Sequence, residues 1–205
     1  MDVDPVLHPR SVRYLRALPA GAHSYPECEC KAALYRAALE NLPKKLDTQA
    51  LDPLIASYVD EPVPISAWVP EVVNTAVYLA IADQIFKNDD AFLQWVSEFS
   101  ARVFEAPMYR ILMIVASPER LAKGATRRWD NFHRGVEYEV TIVEGGTESV
   151  MRFPPNVYDR LVFRAHLKAI EAAYRATDAK RAMVELVSFD VTEARFRTRW
   201  YPESR

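Results

Sequence analysis

Hydrophobic positions change period about two thirds of the way along the chain, and that change predicts two kinds of structure. Ala33, Leu34, Ala37, Ala38 and Leu42 recur at helical intervals and stop at Pro43, which predicts a helix over about 27–42. Leu51, Leu54, Ile55 and Tyr58 predict a second, shorter helix, with Asp47 or Thr48 as its cap. The prolines 62, 64 and 70 that follow mark a linker. Over Ser66–Lys87, Trp68, Val72, Val73, Ala76, Val77, Ala80, Ile81 and Ile85 give a helix apolar nearly all round, with Pro70 in its first turn. Such a helix belongs at the centre of the fold. Asn88–Asp90 then recap the chain, and Phe92, Leu93, Val96, Phe99, Val103 and Phe104 predict a partner helix in an antiparallel hairpin.

A dense apolar run, Met108–Val115, precedes Ser117-Pro118-Glu119, whose order of cap, N1 proline and first-turn acid starts a partly basic helix at about 118–133. After Gly135 the period falls from 3.6 to 2. Tyr138, Val140 and Ile142 alternate with Glu139, Thr141 and Val143, Gly145-Gly146 supplies a turn, and Val150, Met151 and Phe153 return as a β-hairpin. Pro154-Pro155 open a helix over about 156–176, with an apolar face of Val157, Leu161, Val162, Ala165, Ala169, Ala172 and Ala173. Met183–Val191 and Ala194–Tyr201 read as two further strands around Thr192-Glu193. The expected fold is α+β: a helical N-terminal half, then hairpin, helix, hairpin, forming a four-stranded antiparallel sheet packed on the 156–176 helix. Residues 1–25 read as an arm, or a short strand lying over a single domain at 26–205.

Composition narrows the function. With 205 residues, half of them hydrophobic, the chain can bury one core. A formal charge of −2 gives no global field toward nucleic acid or an anionic membrane. Fourteen prolines against five glycines disfavour phosphate-cradling loops, and no P-loop, dinucleotide, Gly-x-Ser-x-Gly or His-Glu-x-x-His pattern occurs. The N-terminus lacks an apolar leader core, and no apolar stretch reaches spanning length. A cytoplasmic protein is the expectation, without membrane insertion, and Cys28 and Cys30, one residue apart, suit a reducing compartment.

Three constellations could carry chemistry. His23, Cys28 and Cys30 offer soft ligands, but the spacing departs from zinc knuckles and no second pair completes a set, so no metal site is assigned. These thiols read as small residues at a helix start, where the dipole would favour mild reactivity. The stretch 123–134 gathers Lys123, Arg127, Arg128 and Arg134 around Trp129, Phe132 and His133, able to grip an acidic group beside a stacking surface. With Tyr109 and Arg110 it forms the candidate ligand-binding set. The alternative reading of the arginines is a solvated face, with Trp129 and Phe132 in the core. Asp83, inside the central helix, is expected to pair with Arg102 or Arg110. A dispersed acid–base site of Asp83, Tyr109, Arg110 and His133 is the enzymatic alternative. His166 falls beside Arg164 and Lys168 on the apparent polar side of its helix.

Phe104, Pro107, Tyr109-Arg110, Ser117-Pro118, Gly124-Ala125, Phe153-Pro154 and Trp200, spread over about 100–200, resemble a multi-paralogue myxobacterial family of unknown function. Its layout is similar to ligand-binding domains of the vinyl-reductase type and to TRAPP-like subunits, which implies a ligand or partner held against the helical half. Haem-based nitric-oxide sensors share a similar order of elements, yet their Tyr-x-Ser-x-Arg motif is absent here, so the resemblance implies no haem. No cofactor is identified. Together these readings favour a non-enzymatic sensor or interaction module whose partner is a small apolar or acidic ligand, or a protein. A homodimer joined through an exposed terminal strand is a further alternative.

Overall fold

The computed structural model describes residues 4–105, 117–177, 179 and 181–201. It is an α+β fold in which eight α-helices and two antiparallel sheets are described. The N-terminal stretch is not an arm. Pro9–Ala17 forms α1, with Pro9 at its first position and Val12 and Tyr14 buried. It packs on the central helix, because Tyr14 and Val12 are an apolar face that composition alone hid among charges. Tyr14 also donates to the Val157 carbonyl at 2.7 Å, tying this end to the far half of the chain.

The helix expected at 27–42 divides. Glu29–Lys31 is a short strand, β1, and only Ala33–Glu40 is helical, as α2. The next helix, α3 (Pro53–Asp60), is capped by Asp52, whose side chain accepts from Leu54 N at 2.9 Å; neither Asp47 nor Thr48 caps it. Asp52 wins because Pro53 then takes the first helical position, where its missing N–H costs nothing. Trp68–Pro70 is a second short strand, β2, so Pro70 precedes the central helix α4 (Glu71–Ile85). Every residue of α4 from Glu71 to Ala82 is buried, as its all-round apolar pattern requires. The following helix, α5 (Asp89–Glu105), packs chiefly against the long C-terminal helix and not as a hairpin on α4. An aromatic series steers it: Phe86 and Trp95 lie 5.2 Å apart, Trp95 and Phe99 4.7 Å.

The basic helix expected at 118–133 is two helices, α6 (Pro118–Lys123) and α7 (Ala125–Asp130), with Gly124 between them. Ser117 caps α6 as expected, accepting from Arg120 N. The Arg128 guanidinium folds back over Gly124 into space that a Cβ would occupy, and donates to the Leu121 carbonyl at 2.8 Å. His133–Arg134 then forms β3, which pairs with β1. The resulting three-stranded sheet, in the order β2-β1-β3, sets Cys30 opposite both Val69 and His133.

The C-terminal half follows its pattern closely. β4 (Glu137–Val143) and β5 (Gly146–Arg152) form the hairpin, with Gly145 at φ +65° in the turn. Asp159 caps α8 (Arg160–Arg175) through Leu161 N at 2.7 Å. β6 (Arg181–Phe189) and β7 (Glu193–Tyr201) complete a sheet of order β4-β5-β7-β6. On β7, buried Ala194, Phe196, Thr198 and Trp200 alternate with Arg195, Arg197 and Arg199. The terminal strand is thus interior to the sheet, paired on both sides, and offers no edge for dimerisation. Phe163 of α8 meets Phe189 and Phe196 on the sheet at 5.4 and 6.0 Å, so α8 lies between the sheet and the N-terminal helices.

Candidate functional site

An apolar cavity of about 440 Å³ opens where α2, α4, α5, α7 and α8 meet the start of the second sheet. Leu34 and Ala37 of α2, with Phe99 and Val103 of α5, form one side. Ala169, Ile170 and Ala173 of α8 form another, where small side chains leave room that larger ones would fill. Tyr138 and Tyr174 face it from β4 and α8. Burial pushes the Tyr138 hydroxyl up to about 12, so it stays protonated at any physiological pH.

Polar groups on the described lining are few. Arg128 sits at the α6–α7 junction, and Ser100 adds one hydroxyl. Trp129 and His133 form a common wall, their rings stacked 3.6 Å apart and 8° from parallel. Three of the expected ligand-binding residues, Arg128, Trp129 and His133, therefore converge on one cavity. Phe132 lines it too. Lys123 and Arg127 do not join them and stand exposed on α6 and α7. Arg134 points elsewhere, pairing with Glu29 and lying 3.7 Å from the Trp68 ring centroid, opposite Lys31 at 3.8 Å. Alternation along β3 separates it from His133, since neighbouring strand residues face opposite sides. Tyr109 and Arg110, and the apolar run Met108–Val115, lie outside the described residues.

Behind the wall is a buried cluster that sequence reading missed. Glu71, the first residue of α4, accepts on Oε1 from His133 Nδ1 and from the Tyr158 hydroxyl, the latter at 2.9 Å. Burial works to push the Glu71 carboxyl up, but the charge of His133, its hydrogen bond and the Tyr158 hydroxyl outweigh that and hold it below the ordinary carboxylate range. Glu71 is thus an acceptor only, so His133 Nδ1 carries the shared hydrogen. His133 Nε2 has no hydrogen-bond partner among the described residues, while the ring itself lines the cavity. Gly135, at φ +70°, fixes the exit from β3: a Cβ there would lie 2.7 Å from both Cys28 Sγ and the Glu27 carbonyl.

His166 belongs to this cluster and not to a solvated face. Its ring is edge-on to Tyr158 at 5.4 Å and to Tyr78 and His133 at 6.3 Å, and its Nδ1 is enclosed without a partner among the described residues. Burial lowers its pKa to about 4, so it is neutral at pH 7. Cys30 lies beside Glu71, and burial with that carboxylate pushes its thiol well up. Burial raises Cys28 to about 11, and its thiol donates to the Gly135 carbonyl. Neither cysteine stands at a helix start, and neither has the thiolate character such a start would give. His23 is exposed on a separate turn, and no group of three metal-binding side chains occurs among the described residues.

Asp83 pairs with Arg10 and not with Arg102, and is absent from the cavity lining; Arg110 lies outside the described residues. Asp83 is 12 residues from Glu71 along α4, about 18 Å at 1.5 Å per residue. The dispersed site that joined Asp83 to His133 is therefore not assembled among the described residues. Among the same residues no helix is long and apolar enough to cross a membrane.

Comparison with known proteins leaves these assignments to rest on the site itself: no family model, no curated protein and no solved structure matches the chain.

Proposed function

We propose that this protein is a non-enzymatic sensor module of the cytoplasm that binds a small, largely apolar molecule between its helical half and the second sheet. The observation that carries the reading is the 440 Å³ cavity, which falls within the range of small-molecule sites and has an apolar lining with few polar groups. Arg128 is the basic side chain at its margin. The order of elements that resembles the vinyl-reductase-type domains carries the same implication. Titration of the full chain with decan-1-ol, followed by tryptophan fluorescence, tests it: Trp129 forms part of the wall and reports occupancy. Saturable binding at one equivalent is expected, and absence of saturable binding overturns the reading.

A second reading, assembly of two copies, draws on β6, an edge strand where Met183 and Val187 are 60% and 55% exposed. Sedimentation equilibrium separates the two: a dimer abolished by Val187→Lys supports this second reading, and a monomer at all concentrations removes it.

A further inference from the structure

We infer that the ligand of this cavity carries a carboxylate on its apolar body, and that His133 Nε2, backed by Glu71, is the group that holds it. The inference rests on the cavity being a ligand site, and adds the chemical class of the ligand and the residue that selects it.

The electrostatics of the lining point one way. No aspartate or glutamate occurs among the described lining residues, and its two basic side chains are Arg128 and His133. Glu71 touches the far side of the imidazole and never faces the cavity lining, so its charge is spent on His133. A buried carboxylate needs an ion-pair partner, and His133 is the one it touches, through Nδ1. In that ion pair Nδ1–H is committed to Glu71, and Nε2–H is the donor left for the cavity. The Arg128 guanidinium adds further donors at the cavity margin. A head group offering only acceptors completes such a set, whereas an ammonium or an amide N–H would face donors with donors.

The ring is also held still. Trp129 stacks on one face, Tyr158 shares the Glu71 oxygen, and β3 is fixed by pairing with β1. A donor that loses little freedom on binding makes the stronger contact. The pair differs from a surface arginine in this respect, because its geometry exists before the ligand arrives.

Two matched pairs of probes test the inference on the full chain: decanoate against decan-1-ol, and 2-naphthoate against 2-naphthol, each titrated calorimetrically at neutral pH. At least one carboxylate should bind about tenfold tighter than its neutral counterpart, the usual advantage of a charge-assisted hydrogen bond over a neutral one. Which pair responds tells a chain-shaped body from a ring-shaped one. The ratio should collapse toward one in His133→Gln and fall in Glu71→Gln, a change of selectivity that a merely structural role for Glu71 would not produce. Neutral probes that bind as tightly as the acids overturn the inference and leave the cavity reading standing. Failure of all four probes overturns both. A carboxylate preference that survives His133→Gln transfers the anchor to Arg128 and overturns the assignment to His133.

Discussion

Helix α4 carries a buried carboxylate at each end, and the two are treated in opposite ways. At the C-terminal end both Asp83 oxygens are engaged: Oδ1 takes the Arg10 guanidinium at 2.9 Å, and Oδ2 takes the backbone N–H groups of Arg10 and Ser11 at 3.0 and 3.2 Å. Asp83 thereby caps α1 from another helix, where His8, at the cap position, provides no side-chain bond of its own. At the N-terminal end Glu71 gathers both its donors on Oε1, and Oε2 has no hydrogen bond in the described structure. One turn further on, Asn74 is fully buried with neither side-chain atom bonded. A closed set of partners marks a joint in the fold, whereas at the other end the carboxylate is committed to a ring that itself lines the cavity.

The sharpest way to break this contrast is to remove each carboxylate's environment in turn. Asp83→Ala strands Arg10 and two helix N–H groups, and should lower stability by about 3 kcal/mol in urea unfolding. Its carboxylate-to-alcohol binding ratio should stay that of the parent, because Asp83 lies about 18 Å along α4 from Glu71. A lost ratio without unfolding would mean that the two ends are coupled.

Acid titration probes the other end with a comparable effect. His166 titrates at about 4 in the folded chain against 6.5 ordinarily, so between these values the unfolded chain binds the extra proton and stability rises with pH. Falling pH across that window should cost at most about 3 kcal/mol. Glu71 adds to the loss lower down: its stabilisation is full above the ordinary carboxylate range and disappears as pH falls through its depressed value. Thermal unfolding of His166→Leu should lose much of the slope across the upper window, buried His8 keeping the remainder, and retain the lower loss. A parent-like slope in that variant would contradict the assignment.

Gly135→Ala should cost about 2 kcal/mol by chemical denaturation, since a positive φ and the Cys28 contact both resist a side chain. The smallest effect has the opposite sign. Asn74→Leu replaces an unpaired buried amide by an apolar group of similar size, and should raise stability by about 1 kcal/mol. A loss there would show that Asn74 has a partner in the folded protein.

The same two regions explain what could be read from the chain itself. Period-2 and period-3.6 patterns are dense in 137–201, so the hairpins and α8 were legible in the sequence. The small sheet was not. Its strands are two or three residues long, too short for a period, and Trp68-Val69-Pro70 runs directly into α4 and takes on its pattern. Register also stayed hidden, yet register is what sets His133 beside Cys30 and within reach of Glu71. The stretch around Trp129 and His133 stood out because aromatic and basic residues crowd together there. Glu71 gave no signal beyond that of an acid in the first turn of a helix, a common and usually exposed feature. A faint clue was available in its setting, for a charged residue entering an all-apolar helix directly after a proline cluster has little solvent to face.

Filling the cavity from α8 should weaken ligand binding without disturbing the buried cluster. Ala173 lines it, and Ala173→Phe places a ring in the space assigned to the ligand while leaving Glu71, His133 and the sheet untouched. Decan-1-ol titrations of parent and variant, with unfolding curves to confirm that both are folded, compare the two. Binding should weaken by at least about tenfold in a folded variant, in keeping with the loss of buried apolar contact area. Unchanged binding in a folded Ala173→Phe protein would contradict the assignment of the cavity as the ligand site.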